Sequence, residues 1–70
     1  MKEIIQAKIV EKSTLRDYWK QRRIEYEHEL AAVQKGAAGP TPHTLYILIQ
    51  KCQYQVDSAQ EWIDFLGRLL

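Results

Sequence analysis

In the second half of the chain, Leu45, Ile49, Cys52, Val56, Ala59, Ile63, Leu66 and Leu70 recur at alternating intervals of four and three residues. No polar residue stands at any of these positions. Such spacing keeps one stripe of a helix turned toward a partner helix, as in a coiled coil. The pattern predicts a long amphipathic helix over residues 42–68.

The start of that helix has its own signal. Thr41-Pro42 combines a hydroxyl able to cap free backbone amides with a proline suited to the first helical position. Just upstream, Lys35-Gly36-Ala37-Ala38-Gly39-Pro40 reads as a break. Gly36 suits the left-handed residue that closes a helix, with Lys35 in the last turn. A helix therefore ends near Lys35, a loop covers 36–41, and the short link favours an antiparallel hairpin.

The first helix is expected over 14–35. Thr14 is placed to cap, and Asp17 falls in the first turn among unpaired amides. Leu15, Trp19, Tyr26, Leu30 and Val33 supply its apolar positions, with Arg22 filling the gap in the series. Residues 1–12 fit two patterns. Ile5, Ala7 and Ile9 alternate with Gln6, Lys8 and Val10 as in a strand, while Ile5, Ile9 and Lys12 also share a helix face. The isoleucine and valine content favours a short strand or extended arm. Such a strand needs a partner from a second subunit or another sheet edge.

Folding the helices back about Ala38 and Gly39 makes the numbers of facing residues sum to about 78. Tyr26 then meets Cys52 and Trp19 meets Ala59, so the two small seam residues oppose two large aromatics. Alternation of large and small across a seam is what a well-packed core requires. Arg22 would face Val56 and reach toward Asp57, its alkyl stem lying along the seam.

The seam does not use all the apolar surface of the second helix. Leu48, Trp62 and Leu69 flank it, and Ile47, Tyr54 and Phe65 lie further round. The segment from Trp62 to Leu70 is apolar on nearly every side. Exposed apolar patches of this kind mark association. The expected architecture is all-α: an antiparallel two-helix hairpin with an N-terminal strand or arm, dimerising into a four-helix bundle.

Composition narrows the function classes. The chain has 70 residues, with ten basic and nine acidic side chains. A single small domain of this length has a marginal core and commonly needs a disulfide, a metal or an oligomer. Cys52 is the only cysteine, so no internal disulfide forms. His28, His43 and Cys52 do not have metal-ligand spacing, so neither metal nor cofactor is expected. Near-neutral charge argues for neither a nucleic acid nor a membrane surface as a general partner. The longest apolar run, Leu45 to Ile49, is too short to span a bilayer. A free thiol fits a reducing, cytoplasmic setting.

Candidate chemistry is sparse. Lys8, Arg16, Lys20, Arg22 and Arg23, with Tyr18 and Trp19, have the composition of a nucleic-acid contact. The strand–helix–helix order is also that of dimeric repressors that lay paired strands in the major groove, with Gln6 and Lys8 facing outward. Against this, Arg23 with Glu27 and Arg22 with Glu25 are spaced as ordinary surface ion pairs. Glu25, Glu27 and Glu29 do not share one helix face, which argues against a metal or acid–base cluster around His28. Cys52 sits on the seam with no histidine spaced to activate it. No catalytic constellation emerges, and a non-enzymatic role is expected.

The sequence thus favours a protein–protein interaction module: a small adaptor, chaperone-like factor or inhibitor. Leu48, Tyr54, Trp62, Phe65, Leu66 and Leu69 are its candidate interface. The expected partners are a second copy and another protein, not a membrane. A dimeric DNA-binding regulator using residues 16–23 is the alternative.

Overall fold

The computed structural model describes residues 1–70 and contains two α-helices, α1 over Lys2–Gln34 and α2 over Pro42–Arg68. They pack against each other as an antiparallel hairpin measuring 53 × 14 × 11 Å. Its radius of gyration is 15.8 Å, against about 11 Å for a compact domain of this length. The core is correspondingly one seam thick. Only Leu45, Cys52, Val56 and Ala59 are buried, all from α2. Each belongs to the four–three series, and Ile49, Ile63 and Leu66 beside them are half-buried.

The loop forms as its residues dictate. Gly36 has φ +104°, a conformation that side-chain-bearing residues rarely adopt. The Ala37 amide donates to the Ala32 carbonyl and the Gly36 amide to Val33, each at 3.0 Å. This bond pair closes α1 and satisfies carbonyls its last turn would leave free. Thr41 caps α2 by accepting from the Thr44 amide at 3.3 Å, with Pro42 in the first turn.

The N-terminal expectation is corrected. Residues 2–13 are neither strand nor arm but the first third of a continuous 33-residue helix. Thr14 is not a cap. Its hydroxyl donates to the Val10 carbonyl at 3.0 Å, the bond open to a threonine inside a helix. The physical reason is coverage. A helix over 14–35 would span about 33 Å, whereas α2 spans about 40 Å. The extension places half-buried Ile5 and Ile9 in the same four–three series that runs through Trp19, Tyr26, Leu30 and Val33.

That series also corrects the arginine. Stepping by four and three from Ile5 gives Lys12, Arg16 and Arg23, not Leu15 and Arg22. Leu15 is exposed, while Arg16 and Arg23 are half-buried and reach across to α2. Arg22 does not reach Asp57; it donates to Glu25 and Tyr26 on its own helix.

Candidate interaction surface

Two rows of α2 flank the seam at seven-residue spacing, and they differ in kind. The first row is Tyr46, Gln53 and Gln60. Every side-chain hydrogen bond between the helices lands on it: Gln34 on the Tyr46 hydroxyl at 3.4 Å, Arg23 on Gln53, and Arg16 on Gln60 at 2.9 Å. Gln53 and Gln60 each donate onward, to Asp57 at 2.8 Å and Asp64 at 3.0 Å. This edge of the hairpin is closed by polar contacts.

The second row is Leu48, Gln55, Trp62 and Leu69, and none of the hydrogen bonds reaches it. Leu48 and Gln55 line an open groove of about 760 Å³ between the helices. Ile47, Gln50, Lys51 and Tyr54 complete its α2 wall, with Cys52 at its base. Tyr18, Trp19, Arg22 and Tyr26 form the α1 wall. Lys51 and Arg22 are its only charged groups. The Tyr26 ring lies 4.9 Å from the Arg22 guanidinium, and its hydroxyl accepts from that group at 2.7 Å. Tyr26 and, less strongly, Glu25 raise the Arg22 pKa above its already high value.

Further along the same flank, Trp62 and Phe65 pack edge to face with ring centroids 6.0 Å apart. Together with Ser58 and Glu61 they frame a smaller depression. Each keeps about half its surface in solvent. The Lys12 ammonium of α1 lies over the Trp62 ring, 5.5 Å from its centroid, in a cation–π contact.

The candidate interface residues separate accordingly. Leu48 and Tyr54 share the groove, and Trp62 and Phe65 form a second cluster on the same side. Leu66 belongs to the seam, half-buried, and Leu69 is exposed just past the end of α2. The α1 wall was not among the interface candidates, although Tyr18, Trp19 and Arg22 were singled out for nucleic-acid contact. Its signal is the unbroken four–three series of α1, which puts Tyr18 and Arg22 one step to the side of Trp19 and Arg23.

The candidate nucleic-acid residues do not form a free basic patch. Lys8 pairs with Glu11 at 3.3 Å, Arg16 with Asp17 at 3.0 Å, Arg22 with Glu25 at 2.8 Å, and Arg23 with Glu27 at 3.6 Å. Lys20 is exposed. No three His, Cys, Asp or Glu side chains stand close enough together to hold a metal ion. No helix is long and apolar enough to cross a membrane. Comparison with protein-family models, curated proteins and solved structures found no match.

Proposed function

We propose that this chain is a non-catalytic interaction module that binds protein through the open apolar flank of α2, and that it works as a dimer in a four-helix bundle. The observation that carries this reading is the contrast between the two rows. One edge of the hairpin is closed by hydrogen bonds, while the other exposes Ile47 and Tyr54 along a groove and Trp62 and Phe65 beside a second depression.

Area supports the reading. The hairpin exposes 5211 Å², where a compact monomer of its mass would expose about 4,600 Å². The excess approaches the roughly 800 Å² that one partner contributes to a standard interface. Aromatic anchors such as Trp62 dominate binding energy at such surfaces. A cytoplasmic setting accords with the unpaired thiol of Cys52. The nucleic-acid alternative has less support, because four of its five cations are engaged by the chain's own carboxylates.

The test is replacement of Trp62 and Phe65 together by alanine. Both residues lie off the seam and alanine favours helix, so helicity should persist. Association, read by sedimentation and by partner binding, should weaken at least tenfold, as loss of two aromatic anchors implies. Unchanged association on both readouts would remove this surface from consideration.

A further inference from the structure

We propose that the occupant of the groove is a second copy of this chain, docked antiparallel through α2 about a two-fold axis near Gln55. The inference rests on the reading of the α2 flank as an interaction surface and adds its partner and register. Three observations carry it.

First, the flank has a socket at one end and a projection at the other. The groove occupies the N-terminal half of α2, and the Trp62–Phe65 pair stands in the C-terminal half. A two-fold axis requires such self-complementarity, because each copy must offer both parts. Leu48 and Trp62 lie seven residues either side of Gln55. An antiparallel pair with its axis between Gln55 and Val56 therefore brings each Trp62 within one residue of the partner's Leu48, and each Phe65 within one residue of the level of Ile47. Gln55, able to donate and accept through one amide, meets its own copy at the axis.

Second, charge matches in nearly the same register. Lys51 lines the groove with no carboxylate beside it, and Glu61 borders the Trp62–Phe65 depression. They lie five residues either side of Val56, and Leu48 and Trp62 seven either side of Gln55, so a two-fold axis between Gln55 and Val56 brings both pairs within one residue of direct opposition, with Glu61 near the partner's Lys51 twice per dimer. A parallel pairing would set Lys51 beside Lys51.

Third, the covered flank lies about a quarter turn round α2 from the seam, since rows seven residues apart share a helix face. Two hairpins joined there make a four-helix bundle with both α2 helices adjacent. The excess area of each hairpin is about three quarters of what one partner buries in a standard contact.

The experiment is a charge exchange between two variants, Lys51→Glu and Glu61→Lys, measured by sedimentation and native mass spectrometry under reducing conditions. Both residues are exposed, and circular dichroism verifies that each variant folds. The wild type should dimerise. Each variant alone faces like charges twice and should self-associate about tenfold more weakly. An equimolar mixture restores both pairs and should regain wild-type affinity as a heterodimer. A mixture no stronger than its components overturns the register. A wild type still monomeric at about 0.5 mM, a bound of weak association on the affinity scale, overturns the second copy as occupant and leaves a foreign acidic helix in its place. Should the dimer survive in Trp62→Ala/Phe65→Ala, the interaction reading falls with the register; should it be lost there while the exchange fails, only the register falls.

Discussion

Arg16 donates across the hairpin to Gln60, and the same bond recurs seven residues further along α1 as Arg23 donating to Gln53. In both cases the residue numbers sum to 76 (16 with 60, 23 with 53), so the helices hold one register across this heptad. Each glutamine is held from behind by an aspartate four residues on. The repeat makes the clasps a register device as well as a source of stability.

The energetic expectation is modest. A hydrogen bond to a charged group contributes about 1.5–3 kcal/mol when well shielded, and the Arg23 side chain is 23% exposed. Arg23→Ala and Gln53→Ala should each destabilise by about 1–2 kcal/mol, with a coupling near 1 kcal/mol in a double-mutant cycle. Urea unfolding at one fixed protein concentration measures it, since association shifts apparent stability. Strict additivity of the two substitutions would show that the clasp contributes nothing.

Leu45 is fully buried at the loop end of the seam. Leucine-to-alanine changes at such sites cost about 2–5 kcal/mol. A chain of 70 residues has roughly 4–10 kcal/mol in total. Leu45→Ala should therefore abolish the cooperative thermal transition or lower its midpoint by well over ten degrees, about 4–8 °C being lost per kcal/mol. A shift of only a few degrees would mean that the seam is not the core.

The glycines give a contrast of sign. Gly36 has open space around it but φ +104°, so Gly36→Ala should cost about 1–2 kcal/mol through backbone strain alone. Gly67 also has open space and lies within α2, so Gly67→Ala should stabilise by up to about 1 kcal/mol. At Gly39 an added methyl would meet Val33 Cγ2 at 3.1 Å, and a small loss is expected there. Thermal midpoints of the three variants, run side by side, check the order.

Cys52 keeps 2% of its surface exposed. In the folded chain it should react with an aromatic disulfide reagent at least tenfold more slowly than in urea, following the free energy of local opening. Equal rates in both conditions would contradict its burial.

The sequence carried α2 almost completely. Its eight-position seam, Gly36 and the Thr41-Pro42 start signal each have one physical meaning, and the helix runs over the residues they mark. The first third of α1 was not legible by the same means. Ile5, Ala7 and Ile9 satisfy a period of two, and Ile5, Ile9 and Lys12 a helical one, so local propensity alone broke the tie. The deciding information is non-local: the length of α2 sets how much α1 must cover. The seam arginine was displaced for a related reason. Arg22 and Arg23 fit short windows equally well, and only the register carried in from Ile5 selects Arg23. Of the candidate interface, the α2 residues were visible as apolar positions left over by the seam. The α1 wall was not, because Tyr18 and Arg22 become neighbours of Leu48 only once the hairpin closes.

With Gln34, Arg23 and Arg16 all fastened to one row of α2, the hairpin is bound like a book along its spine. A swing of the helices about that bonded edge would widen the groove without breaking a side-chain hydrogen bond between them. A helix docking there as proposed would meet a cleft whose mouth can adjust in width while its residue register stays fixed.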